Sequence, residues 1–303
     1  MKILITGSKG QLGTELAAIL SDMQSEIGPV PEVYRGAEVI GIDIDSVDVS
    51  DETALAAFAD LHRDVPFDLI IHCAAMTNVD ACEADYEAAL KGNAAGPANI
   101  AGFAEEQGAR LVHISTDYVF DGRAKTPYTE LDEPAPSTAY GKSKLLGEQN
   151  VREACPRAFI IRTSWLYGKT GNNFVRTIRR IASENDRINV VYDQVGNPTN
   201  ANDLAHHILK IAAGGGQDAE GGAPYGIYHV TGNGICSWHE FAEEIVRLSG
   251  LDCEVVPVTE KEYPRPAPRP AYSALDHARL RETVGDGMRP WKEALAAFIA
   301  SLG

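Results

Sequence analysis

Short unbroken apolar runs alternate with longer amphipathic ones along the first half of the chain. The runs Lys2 to Thr6, Glu38 to Asp43, Phe67 to Ala74, Arg110 to Ser115 and Ala158 to Thr163 read as strands. Between them, Gln11 to Asp22, Asp51 to Leu61, Ala81 to Gln107 and Tyr140 to Ala154 place apolar residues at helical spacing. Gly92 and Pro97 divide the third of these into two helices. Strands without polar alternation are buried on both faces, as in a parallel sheet covered by helices. The order predicts an α/β fold, a doubly wound parallel sheet of Rossmann type, over residues 1–165.

After Trp165 the rhythm becomes irregular. Helices are expected at Asn173 to Ala182, Asp203 to Ala213, Trp238 to Ser249 and Trp291 to Leu302, with short strands at Tyr228 to Thr231 and Glu254 to Val258. Gly214 to Gly222 reads as a flexible surface loop and Pro257 to Pro270 as an extended one. Residues 166–303 are thus expected to form a smaller α+β cap that shapes a substrate cleft, with segments around 190–232 returning to the first domain.

The formal net charge of −16 argues against nucleic-acid and membrane partners, because such a surface repels both kinds of phosphate array. Five cysteines without a CxxC pair suit reduced thiols, and the first apolar run is too short for a signal peptide, so a cytoplasmic protein is expected. No histidine has metal-ligand spacing with a partner, and no metal site is assigned.

Gly7-Ser-Lys-Gly10-Gln-Leu-Gly13 joins the first strand to the first helix. There Gly7 permits a tight turn, Gly10 lets a pyrophosphate approach the backbone, and Gly13 lets helix and strand pack closely. The helix N-terminus adds free N–H donors and a partial positive charge. Asp43 ends the second strand, where a carboxylate can hold ribose hydroxyls. It lies 30 residues after Gly13 rather than the usual ~20, so Ser21 to Gly36 reads as an insertion. Lys9 offers a partner for a 2′-phosphate, which leaves NADH and NADPH both open. Asp48 and Val49 suit adenine contacts.

Tyr140-Gly-Lys-Ser-Lys144 places a phenol and an ammonium one helical turn apart, downstream of Ser115-Thr116 at a strand end. At ~4 Å and an effective dielectric of ~20 their attraction is roughly 4 kcal/mol, enough to lower the phenol's pKa by about 3. Such a phenol could serve as an acid–base group at cellular pH.

Assembled, these motifs resemble the extended short-chain dehydrogenase/reductase family, through Thr6 to Gly13, Thr116 and Tyr140/Lys144. Within it the chain is similar to the dTDP-4-dehydrorhamnose reductases, through Ser115 to Gly122, Arg162 to Gly168, Asn172 to Phe174, Asp193 to Thr199 and Arg269 to Ser273. The resemblance implies NAD(P)H-dependent reduction of a nucleotide-sugar 4-ketone. Tyr140 would be the general acid, Lys144 would stabilise the phenolate and hold the nicotinamide ribose, and Thr116 would bond the carbonyl oxygen. It also implies cofactor contacts from Gln11, Leu12, Ala74, Ala75 and Asn93, and substrate contacts from Val79, Trp165, Asn173 and Arg269. Magnesium between subunits, involving Glu15, and a homodimer are permitted but not demanded. Two alternatives stay open, an epimerase of the same fold and a non-catalytic regulatory subunit of methionine adenosyltransferase. A 4,6-dehydratase is disfavoured, because Thr116 is followed by Asp117-Tyr118 rather than Asp-Glu.

Overall fold

The structure, a computed structural model, describes residues 1–214 and 223–302; the glycine-rich stretch expected as a loop falls almost wholly on 215–222, outside the described residues. Six parallel strands make the central sheet: β1 (Lys2–Thr6), β2 (Glu38–Ile42), β3 (Leu69–His72), β4 (Arg110–Thr116), β5 (Ala158–Thr163) and β6 (Gly226–His229). Their spatial order is β6-β5-β4-β3-β1-β2, so the winding reverses between β1 and β3. In an open sheet of this kind the crevice at the carboxyl ends of such a pair is where ligands bind.

Alternate side chains explain the layers. Ile3, Ile5, Leu69, Ile71, Phe159 and Ile161 point to one face and meet α1 (Gln11–Asp22) and α8 (Ala201–Ala213). Leu4, Ile70, Leu111 and Ile160 point to the other. There they meet α2 (Glu52–Leu61), α5 (Gly96–Gln107) and α6 (Ala139–Ala154). Burial on both faces is why these strands read as unbroken apolar runs.

One expectation is corrected. Gly92 and Pro97 do not separate two helices. After α3 (Val79–Ala84) and α4 (Tyr86–Leu90) the chain takes a π turn over Lys91–Ala95 and runs straight into α5. The wide turn absorbs Gly92, and Pro97 falls in the first turn of α5, where its missing N–H costs nothing. The Ser21 to Gly36 insertion holds a hairpin of two two-residue strands, Gln24–Ser25 and Gly28–Pro29, and the Tyr34 hydroxyl donates to the Leu209 carbonyl at 2.8 Å.

A separate apolar cluster forms the cap. It joins α7 (Phe174–Glu184), α9 (Trp238–Leu248), the helix Trp291–Ser301 and the parallel pair Arg187–Val191 with Glu254–Val258 around Phe241, Ile245, Leu295 and Phe298.

Candidate active site

The glycine loop lies at the reversal point. Gly7 has φ +63°, and a Cβ there would approach the Ala74 backbone nitrogen to 2.7 Å. A Cβ on Gly13 would reach the Gly7 carbonyl oxygen at 2.3 Å, which is how α1 comes so near the strand end. Gly10 is different: its Cβ would meet only the Gly7 carbonyl, at 3.2 Å, and otherwise opens on empty space. No side chain caps α1, so the first-turn N–H groups of Gln11, Leu12 and Gly13 stay available to an anion. These features fit a dinucleotide pyrophosphate. Gly7→Ala puts strain of about 1–3 kcal/mol at that turn, and we expect dinucleotide affinity to fall at least ~10-fold by titration; an unchanged affinity would remove the loop from the site.

Asp43 is held beside this loop. Its Oδ2 accepts from the Lys9 backbone N–H and its Oδ1 from the Ile44 N–H, both at 2.9 Å. Ala74 N–H reaches the Thr6 hydroxyl at 3.3 Å, and Ala75 is exposed at the same crevice. Asp48 pairs with Lys91 at 3.4 Å, whereas Val49 is buried under the α5 face.

Thr116, Tyr140 and Lys144 form one wall at the carboxyl ends of β3 and β4. Helix α6 is capped by the Thr138 hydroxyl, which accepts from Gly141 N–H at 2.9 Å. The helix can dock this closely because two of its residues are glycines. A Cβ on Gly141 would stand 2.1 Å from the Tyr118 carbonyl, and one on Gly147 at 2.1 Å from that of Asn93. Asn93, in the π turn, bonds both backbone groups of Met76, at 2.8 and 3.0 Å, and donates to Ser143 Oγ on α6 at 3.1 Å. It thus braces the loop after β3 against the helix that carries Tyr140.

Electrostatics at this wall correct one expectation. Burial pushes the Tyr140 phenol above its ordinary range; the Thr116 hydroxyl opposes this, while the Asp117 carboxylate adds to it. The expected downward pull from Lys144 is not what governs it. Lys144 Nζ donates to the Ile114 carbonyl at 2.7 Å, and burial brings it down to about 8 against the pull of Glu148. Beneath it, His72 and His113 stack at 5.4 Å with their pKa values depressed by burial, so neither competes as a cation at neutral pH.

Around the phenol stand Val79, Met76, Cys82 and Tyr118, with the Tyr118 and Tyr140 rings edge to face at 5.5 Å. Asp117 counts in the sequence only against a dehydratase and is not among the expected site residues. It is buried, accepts from the Thr116 hydroxyl at 3.0 Å, and has its carboxyl pushed up to about 6 by that burial. Its place directly after Thr116 was the available signal.

The other expected residues fall at different distances from this wall. Trp165 takes φ +45°, rare for a non-glycine residue, and its indole stacks on Trp238 with ring centroids 3.5 Å apart. Arg269 pairs with Asp80 at 3.0 Å and lies close enough to act on the Tyr118 phenol. Asn173 instead caps α7 and donates to the Gln11 side chain at 2.9 Å, so it touches the glycine loop. Glu15 is buried and accepts from Asn202 at 2.9 Å, and among the described residues no three metal-ligating side chains converge.

The sequence model of the RmlD substrate binding domain family matches residues 1–303. The chain belongs to the dTDP-4-dehydrorhamnose reductase family. It is 40% identical to the spore coat polysaccharide biosynthesis protein SpsK of Bacillus subtilis, over 98% of this chain and 96% of that one. The crystal structure of a dTDP-4-dehydrorhamnose reductase from Clostridium acetobutylicum superposes with a TM-score of 0.88 at 45% identity, covering 100% of this chain and 99% of the other. That of the Bacillus anthracis dTDP-4-dehydrorhamnose reductase, solved in complex with NADP, gives 0.89 at 38% identity and 99% of each chain. The likeness to these dTDP-4-dehydrorhamnose reductases runs over the whole length of the chain.

Proposed function

We propose that this chain reduces the 4-keto group of dTDP-4-dehydro-β-L-rhamnose to give dTDP-L-rhamnose. The observation that carries the reading is the wall of Thr116, Tyr140 and Lys144 beside a glycine loop suited to a dinucleotide, in a chain whose relatives at 45% and 38% identity are reductases of that name. A reduced nicotinamide, when bound, supplies the hydride. Gly7, Lys9, Gly10, Gln11, Leu12, Gly13 and Asp43 would hold the dinucleotide, with Ala74, Ala75 and Asn93 under its nicotinamide end. Asp48 and Val49 would lie at the adenine end.

The proton is the chain's own contribution. With its pKa raised by burial, Tyr140 keeps its proton throughout the cellular range and yields it only to a strong base such as the developing alkoxide. The Lys144 ammonium stabilises the phenolate so formed, and Thr116 holds the substrate oxygen. Val79, Trp165, Asn173 and Arg269 are the proposed substrate contacts. Trp165 would offer an apolar ring face to the deoxysugar and Arg269 a planar fork to the diphosphate.

Lys144 sets a pH limit. Its ammonium is charged below about 8, so turnover should fall as pH rises through that value. In Lys144→Arg the side chain stays charged and the alkaline limb should disappear from whatever activity remains. A limb left in place in the arginine variant would assign it to another group.

The reading is tested by absorbance at 340 nm with the purified protein, dTDP-4-dehydro-L-rhamnose generated in situ, and NADH or NADPH in separate cuvettes. Stoichiometric oxidation with formation of dTDP-rhamnose is expected. Bound but inert dinucleotide would instead favour an epimerase or a regulatory subunit.

A further inference from the structure

Resting on the reading of Trp165 as a residue that meets the sugar, we propose that Trp238 of the cap is the positioning residue for that contact. Stacked on the Trp165 indole, it fixes which ring face the nucleotide-sugar meets. Trp165 lies two residues beyond Thr163, which pairs with Thr116 across β4 and β5, so the sheet register sets it near the wall. Its backbone has φ +45°, a conformation that a bulky residue keeps only where its surroundings over-determine it. Three contacts do so. Thr199 N–H donates to the Trp165 carbonyl at 3.2 Å. Gly196 lies so close to the indole that a Cβ there would stand 2.8 Å from Trp165 Cε2 and 2.9 Å from Ser273 Oγ. Ser273 in turn bonds the Asp117 carboxylate next to Thr116. The third contact is the Trp238 indole, parallel to within 8° at a centroid distance of 3.5 Å.

Trp238 is itself firmly placed. It is the first residue of α9, and a reciprocal capping box between Ser237 and Glu240 closes the start of that helix. Its N–H donates to the Gln194 carbonyl at 3.3 Å, and Cys236–Ser237 pairs antiparallel with Val195–Gly196. Gly196 and Trp238, the two neighbours of the Trp165 ring, are therefore tied to each other. Behind them, Phe174 packs on the Trp238 ring at 4.4 Å and Phe241 at 6.2 Å, which joins the pair to the cap core. The stack covers one face of Trp165 and leaves the other as a flat apolar surface of fixed direction. A deoxysugar meeting such a surface does not have to order it first. Without Trp238 the half-buried Trp165 ring can turn about its side-chain bonds, and binding the sugar then bears the entropy of fixing it.

The test is calorimetric binding of dTDP-L-rhamnose to the full-length protein, in Trp238→Leu and Trp238→Phe, each made in the wild-type and in the Trp165→Ala background. Trp238→Leu should weaken binding ~10-fold, and Trp238→Phe, whose smaller ring covers less of the indole, by a factor between that and one. In turnover the loss should appear in KM, with kcat within about threefold of wild type. In the Trp165→Ala background neither change should alter affinity by more than about twofold, because the ring to be positioned is gone. A general weakening of the cap would instead act equally with and without Trp165. Unchanged affinity in both Trp238 variants, or an equal loss in the two backgrounds, would overturn the inference. If Trp238→Leu fails to fold, Trp238→Phe decides by the same comparison. A wild-type protein that does not bind dTDP-L-rhamnose would overturn the reading of the sugar site and this inference with it. Binding with the expected dependence on Trp165 but no turnover would strike the proposed reaction alone.

Discussion

Tyr140→Phe lowers kcat by about 10²–10⁴-fold and leaves the dinucleotide dissociation constant within about a factor of two. The split follows from what the substitution removes. The ring stays wedged among Val79, Cys82 and Tyr118, and the helix that carries it stays capped by Thr138 and braced by Asn93, so the wall keeps its shape. Only the hydroxyl is lost, and with it the proton that burial keeps on the phenol. A rate unchanged in single-turnover measurements would take Tyr140 out of the chemistry. A rate lost together with dinucleotide binding would indicate damage to the crevice instead.

Arg162→Met is expected to destabilise the protein by about 3–5 kcal/mol. Arg162 on β5 is 1% exposed and Glu148 on α6 is 2% exposed. The guanidinium donates twice to that carboxylate, at 2.9 and 2.7 Å, while Ser115 adds a third donor at 2.5 Å and the Phe120 ring lies 5.1 Å from the arginine. Removing the arginine leaves a carboxylate inside the sheet–helix interface with no adequate partner, one turn from Lys144. The double change Arg162→Met with Glu148→Leu removes both charges and should recover most of the loss. Urea midpoints at constant slope measure both effects. A single substitution costing less than about 1 kcal/mol would mean the pair is far better solvated than its burial indicates.

The parts legible in the sequence are those whose signal is local. The glycine loop announces itself because a strand end, three glycines and a helix start are consecutive. Tyr140 and Lys144 do so because helix geometry alone sets their separation. The strands were readable from unbroken apolar runs, and the structure trims them at the ends, as with Leu69–His72 inside the broader Phe67 to Ala74. What escaped depends on partners distant in sequence. Gly141 and Gly147 look like poor helix residues until the carbonyls of Tyr118 and Asn93 are seen pressing against them. Arg162 reads as a charge in an apolar strand, and its partner becomes known only when α6 is laid across the sheet. The direction of the Tyr140 shift was misjudged for the same reason. Spacing reveals the neighbouring cation, but the loss of water that outweighs it comes from elements far away in the chain. Asn173, a proposed substrate contact, also caps its helix and bonds Gln11, a partner that its local sequence does not reveal.

The sixth strand of the main sheet has a consequence for how the chain is made. β6 pairs along β5, from Gly226↔Phe159 to His229↔Arg162, yet it is translated more than sixty residues later. Until it emerges from the ribosome, the apolar edge of β5 has no partner and invites pairing with another chain. Synthesis in crowded conditions should therefore depend on a holdase during that interval. Nascent chains stalled before residue 226 should aggregate, whereas chains stalled well after 229 should remain in solution.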